Sequence, residues 1–161
     1  MKFRTGIGYD IHELIDERKL FLGGVEIPYY KGLKGHSDAD VLLHAICDAI
    51  LGALGKGDIG EHFPDTDEKY KDISSIKLLG YVNNFMKENG YLIGNIDSVV
   101  QAEEPNLSQY KGQIKEKIAF ELGIAESCVG IKATTFEGLG PIGQKKAIAA
   151  FATVLLTKQE G

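Results

Sequence analysis

The 161-residue chain has only two cysteines, Cys47 and Cys128. They lie far apart in the sequence, each among apolar residues, and are expected to be reduced core residues of a cytoplasmic protein rather than a disulfide. Positive charge is also scarce. Eighteen Lys and Arg against 23 Asp and Glu leave a net charge of −5, and the cations are scattered, which argues against a nucleic-acid backbone as partner. No apolar run approaches the roughly 18 residues of a membrane span. The amino terminus, Met1-Lys2-Phe3-Arg4-Thr5-Gly6, lacks the apolar stretch of a signal peptide, so a soluble, unexported chain is expected. Repeats, linkers and low-complexity segments are missing too, and this length suits one domain, residues 1–161, able to bury its own core.

What is abundant is glycine, 20 residues, several of them beside polar residues, as close backbone approach to a ligand requires. The densest chemistry lies in Gly35-His36-Ser37-Asp38-Ala39-Asp40-Val41-Leu42-Leu43-His44-Ala45-Ile46-Cys47-Asp48, which holds two of the four histidines and three acids. Ser37 and Asp40 approximate a capping box, and apolar residues at helical spacing predict a helix from about Asp38 to Leu54. Asp40, His44 and Asp48 then share one stripe, an imidazole between two carboxylates. A solvated polar face is the alternative.

Phe3 to Ile15 reads as a strand with Ile7, Tyr9 and Ile11 on one face and Gly8, Asp10 and His12 on the other. Asp-x-His on a strand aims two ligands at one point and makes half a divalent-metal site; a merely polar strand face is the alternative. Lys19 to Leu22 and Val25 to Pro28 form a hairpin about Gly23-Gly24. A loop over Tyr29 to Gly35 and a second, turn-rich loop over Gly55 to Asp67 follow, the latter pinned by Ile59 and Phe63. Helices are predicted over Ile73 to Asn89 and Ser108 to Leu122, both as scaffold without chemistry, and strands over Tyr91 to Ala102, Cys128 to Thr135 and Lys146 to Lys158. Thr134-Thr135-Phe136-Glu137-Gly138 after a strand end is a candidate phosphate cradle, or an ordinary Gly-Pro turn. The class is therefore α/β (α+β), one mixed sheet with helices packed on one face.

Taken in order, several blocks resemble the family of 2-C-methyl-D-erythritol 2,4-cyclodiphosphate synthases. They are Gly6-Ile7-Gly8-Tyr9-Asp10-Ile11-His12, Leu22-Gly23-Gly24-Val25-Glu26-Ile27-Pro28, Gly35 to Ala45, Gly57-Asp58-Ile59-Gly60 with Phe63-Pro64-Asp65-Thr66-Asp67, and Lys132-Ala133-Thr134-Thr135 with Glu137. The resemblance implies a phosphorus–oxygen lyase of isoprenoid biosynthesis by the non-mevalonate route. It converts 4-diphosphocytidyl-2-C-methylerythritol 2-phosphate to the cyclic diphosphate and releases CMP. Asp10, His12 and His44 would hold Zn²⁺, and Glu137 a second cation, Mg²⁺ or Mn²⁺. His36, Ser37, Asp58 and Thr135 would serve catalysis. Substrate contacts would come from these residues and from Ile59, Gly60, Phe63, Asp65, Ala102, Pro105, Leu107, Ala133 and Thr134. Asp48 would stand behind His44 and orient its imidazole, with Asp38 and Asp40 as helix-start acids. A homotrimer with active sites between subunits, in the bacterial cytoplasm or, for a mature plastid form, the stroma, is implied as well. Many relatives carry Phe and Arg where this chain has Pro141 and Gln144, and Lys where it has Asn106. A zinc phosphohydrolase and a non-catalytic cytidine-nucleotide-binding protein are the rival readings.

Overall fold

The computed structural model describes residues 1–64, 66 and 73–159. The chain folds into a five-stranded mixed sheet, a separate hairpin and a set of helices. The strands are β1 (Phe3–Asp16), β2 (Leu20–Leu22), β3 (Val25–Ile27), β4 (Lys31–Leu33), β5 (Tyr91–Gln101), β6 (Val129–Thr134) and β7 (Ala147–Lys158); the helices are α1 (Val41–Leu54), α2 (Ile59–His62), α3 (Ser75–Glu88), α4 (Lys111–Leu122) and α5 (Gly140–Gly143). Sheet order is β4-β1-β7-β5-β6. All neighbours are antiparallel except β5 and β6, which run parallel and are joined through α4, as a parallel pair requires a helical crossover.

The long elements follow the sequence pattern, and the differences are local. The expected loop over Tyr29 to Gly35 contains β4, a three-residue edge strand on the end of β1, too short to show a period. The turn-rich segment after α1 contains α2, whose amino terminus Asp58 caps through a hydrogen bond from Glu61 N–H of 3.0 Å. The Gly-Pro turn closes as α5. Helix α1 starts at Val41 rather than Asp38, because Asp40 is its cap and accepts from Leu43 N–H at 3.1 Å; Ser37 Oγ instead accepts from Ala39 N–H. Cys47 is buried as expected, whereas Cys128 is half-exposed; both are free thiols.

The register of α1 on β1 decides what the fold can do. A Cβ on Gly8 would lie 1.9 Å from the Ala45 carbonyl oxygen, and one on Gly6 1.9 Å from that of Ala49. Only glycine lets the helix backbone settle so closely on the strand. Four helix residues rise about 6 Å and two strand residues about 6.6 Å, so Gly6 and Gly8 match Ala49 and Ala45 in step. One further step brings Asp10, and a second brings His12, to the start of α1, where His44 stands in the first turn. The opposite face of β1 carries Ile7, Tyr9 and Ile11, which are 67%, 46% and 44% exposed. On the same side of the sheet α5 and Phe136 pack on Ala147 and Ala149 at the start of β7.

Candidate metal centre and ligand cavities

Asp10 Oδ2 lies 2.9 Å from His12 Nε2 and 3.0 Å from His44 Nδ1, and the two ring nitrogens are 3.3 Å apart. Among the described residues this is the cluster of acids, histidines and thiols with metal-ligand geometry. Ligands at 2.0–2.1 Å from a tetrahedral ion stand about 3.3–3.4 Å from one another, so the triangle needs to open by only a few tenths of an ångström.

Hydrogen bonds on the far side of each ring fix which atoms face inward. His12 Nδ1 is 2.8 Å from the Lys34 carbonyl, which can only accept, so Nδ1 carries the proton and Nε2 is the inward atom. His44 Nε2 is 3.0 Å from Ser75 Oγ and 3.2 Å from Ser37 Oγ. The Ser75 hydroxyl donates to Asp38, so its oxygen accepts from His44 Nε2–H and leaves a lone pair on Nδ1. Two imidazole lone pairs and a carboxylate oxygen therefore converge on one point, an arrangement that a cation satisfies.

The electrostatics agree with close contact. Burial alone pushes the Asp10 carboxyl up, but with protons in place of a cation on the inward ring nitrogens, hydrogen bonds from His12 and His44, with their charge, outweigh it and hold Asp10 well below the usual carboxylate range. Burial pushes His12 down, yet the Asp10 hydrogen bond and charge, and the Lys34 carbonyl, raise it above its ordinary value.

The triad forms one wall of a cavity of about 240 Å³, lined also by His36, Ser37, Ile59, Gly60 and Phe63. His36 Nε2 is buried and has no hydrogen-bond partner among the described residues, a polar atom left for a ligand. Ser37 Oγ accepts from Ala39 N–H and faces a donor at His44 Nε2, so its own proton is free for the cavity. Asp58 is the cap of α2 and thereby places Ile59 and Gly60 on the cavity wall. Asp65 lies outside the described residues.

A second cavity of about 180 Å³ gathers Ala102, Pro105, Leu107, Ala133, Thr134 and Thr135. Beside it Thr135 Oγ1 donates to Glu137 Oε1 at 3.0 Å, and Glu103 accepts from Phe136 N–H at 3.0 Å, which ties the Thr-Thr-Phe-Glu turn to the end of β5. Gln101 and His12 pair with adjacent β7 residues, Ala149 and Ile148, while Thr134 pairs with Gln101. Both cavities thus sit at one end of the sheet, with β1 and β6 three strand spacings apart, about 14 Å.

Asp48 and Asp38 have duties other than those expected, and Asp40, the cap of α1 as expected of a helix-start acid, has one more. Asp48 does not hold the His44 ring through a hydrogen bond; its carboxylate accepts from Ile59 N–H at 2.8 Å and fastens α2 to α1, while burial pushes its pKa up. Asp40 is fully buried and also accepts from Gly23 and Gly24 N–H at 2.9 and 2.7 Å, bolting the hairpin turn to α1. Asp38, expected as a helix-start acid of α1, lies before that helix and accepts from Asp40 N–H and from Ser75 at the start of α3. Ser75, on a helix expected to be pure scaffold, is the site residue that pattern reading missed; its only signal is a serine at a helix start.

The profile of the YgbB family matches residues 3–157. A relative from Syntrophotalea carbinolica, a 2-C-methyl-D-erythritol 2,4-cyclodiphosphate synthase, is 57% identical over 96% of this chain and 94% of its own length. The solved bifunctional IspDF of Campylobacter jejuni superposes with a TM-score of 0.95 at 44% identity over 99% of this chain; the chain spans 43% of that longer protein. The IspF of Plasmodium falciparum, solved as a CDP complex, gives a TM-score of 0.87 at 40% identity, covering 99% of this chain and 98% of its own. With the family profile running across nearly all of both edge and centre of the sheet, the chain belongs to the YgbB family.

Proposed function

We propose that this chain is a 2-C-methyl-D-erythritol 2,4-cyclodiphosphate synthase. It folds 4-diphosphocytidyl-2-C-methylerythritol 2-phosphate so that the 2-phosphate oxygen attacks the β-phosphorus, CMP leaves, and the cyclic diphosphate closes. The observation that carries this reading is the convergence of Asp10, His12 and His44 lone pairs on a cavity where His36 Nε2 has no hydrogen-bond partner among the described residues and the Ser37 hydroxyl proton is uncommitted. Two imidazoles and one carboxylate suit Zn²⁺, and the oxygen donor of Glu137 beside Thr135 suits Mg²⁺ or Mn²⁺. When bound, these cations neutralise phosphate charge and lower the repulsion between two anions that must meet.

The protein's own groups bind and orient. His36 and Ser37 offer a ring nitrogen and a hydroxyl proton to the phosphate of the methylerythritol end. Ile59, Gly60 and Phe63 shape the wall against which the substrate bends, and Asp58 holds α2 in place for them. The Thr134-Thr135 turn, with Ala102, Pro105, Leu107 and Ala133, receives the cytidine diphosphate end. Fixing both ends replaces a search through conformations by one near-attack geometry. Ser37 stands within Ser–His distance of His44, but Nε2 is the donor there, so the serine is not activated as a nucleophile; the attacking oxygen comes from the substrate.

The separation of the two cavities, and the exposed apolar face of β1, support a homotrimer in which the metal centre of one subunit meets the cytidine pocket of the next. A cytoplasmic location is part of the same reading; no described helix is long and apolar enough to cross a membrane. Phosphorus NMR of purified protein with the diphosphocytidyl substrate and divalent cations tests the reaction. Cyclic diphosphate and CMP are expected. Open-chain products with free phosphate would make the protein a zinc phosphohydrolase, and unchanged substrate a cytidine-nucleotide-binding protein without catalysis.

A further inference from the structure

Ser75 is the first residue of α3 and is completely buried. Its hydroxyl donates to Asp38 Oδ1, its backbone N–H donates to Asp38 Oδ2 at 2.9 Å, and its Oγ stands 3.0 Å from His44 Nε2. Asp38 accepts a further N–H, that of Asp40, at 3.2 Å. An ionised carboxylate only accepts, so the single Ser75 hydroxyl proton is committed to Asp38. The oxygen then presents a lone pair to His44, and Nε2 must carry the ring proton. Ser37 Oγ is also near, at 3.2 Å, but its proton is uncommitted and its hydroxyl serves either form of the ring. Of the described groups around Nε2, Ser75 is the one whose own partners dictate the tautomer.

We propose that Ser75, held by Asp38, is a positioning residue that locks His44 in the Nε2–H tautomer and turns Nδ1 toward the cation, so that the start of α3 sets the metal affinity of the centre. This rests on the reading of Asp10, His12 and His44 as a metal site. Partners behind a ligating imidazole usually change metal affinity about 10- to 100-fold when removed. The link also has a structural side, since the same Asp38 carboxylate satisfies an otherwise open N–H at the α3 terminus. Affinity alone would therefore not separate positioning from scaffolding, whereas the tautomer does.

The test is made on histidine-¹⁵N-labelled protein, as wild type, Ser75→Ala, Ser75→Thr and Asp38→Asn. Long-range proton–nitrogen correlation of the zinc-free protein reads the His44 tautomer, and chelator competition reads the Zn²⁺ dissociation constant. Wild type is expected to bind one Zn²⁺ per chain with His44 in the Nε2–H form. Ser75→Ala is expected to bind about 10- to 100-fold more weakly with a mixture of tautomers and unchanged circular dichroism. Ser75→Thr, which keeps the hydroxyl, restores most of the affinity. If wild type binds no Zn²⁺, the metal-site reading fails. If it binds and Ser75→Ala matches it in affinity and tautomer, the positioning role alone is overturned. Should Ser75→Ala not fold, Asp38→Asn decides on the same two readouts: a tautomer mixture with weaker binding supports the role, and wild-type values overturn it.

Discussion

The two faces of β1 invert the usual rule of strands. The face turned to the helices carries Gly6, Gly8, Asp10 and His12, small and polar residues, while the outward face carries Ile7, Tyr9 and Ile11. An ordinary two-layer fold buries the apolar side and solvates the polar one. Here the inner face has no room for large side chains, because the α1 backbone rests directly on the glycines, and its polar pair is satisfied by His44 and the Lys34 carbonyl. The outer face keeps the apolar area that a small α+β chain normally hides, and tilted stacking of Tyr9 on Phe151, ring centroids 4.5 Å apart, covers little of it. One side of the strand is thus built for close approach and chemistry, the other for a partner surface.

Breaking the inner face has the largest expected effect. Gly8→Val places side-chain carbon where the Ala45 carbonyl now stands, so α1 must lift from β1. A loss of about 3 kcal/mol or more in urea denaturation is expected, together with loss of bound metal; an unchanged midpoint would show that the helix is not seated by the glycines. His44→Ala acts more narrowly, removing one ligand while the strand and helix stay packed. Zinc content and turnover should both vanish, with circular dichroism preserved, and one Zn²⁺ retained per chain would refute the ligand assignment.

On the outer face, Ile7→Lys changes a residue that is two-thirds exposed in the single chain, so the subunit itself should lose no more than about 0.5 kcal/mol. Sedimentation should nevertheless show the proposed trimer weakened. An assembly unaffected by the lysine would move the interface elsewhere. The smallest effect concerns pH. His12 has a raised pKa in the metal-free protein, and its contribution to metal-free stability is complete below about 6.5 and lost as pH rises through the raised value. A cation must displace the proton that His12 holds in that lower range, so metal affinity should fall as pH drops from neutrality toward 6, with proton release on binding measurable by calorimetry in buffers of different ionisation enthalpy. Affinity that does not change over this range would place His12 outside the ligand set.

Two departures near the turn at Pro141 and Gln144 also bear on charge. Lys145, adjacent to Gln144, has its ammonium 2.6 Å from Glu104 Oε1. Its positive charge is shared locally with that carboxylate, and the pairing lowers the Glu104 pKa and raises that of Lys145.

Much of the site was written in local spacing. Period two on β1 put Asp10 and His12 on one side, and helical spacing put His44 near the start of α1, because both patterns depend on residues within a few positions of one another. Boundaries such as Gly55 and Gly123, each left-handed at a helix end, follow from the same local chemistry. What no period encodes is which helix turn meets which strand residue. The step between Gly6-Gly8 and Ala49-Ala45, the edge strand β4, the fastening of α2 by Asp48, and the path from Asp38 through Ser75 to His44 all join residues distant in sequence. Such contacts form only when the elements that carry them are packed together, as α1 and α3 are for the last of these, since a hydrogen bond across 31 positions is fixed by the fold and not by its neighbours in the chain. The sequence alone determined the ligand types and the faces they occupy; the tertiary structure decided which proton each imidazole keeps.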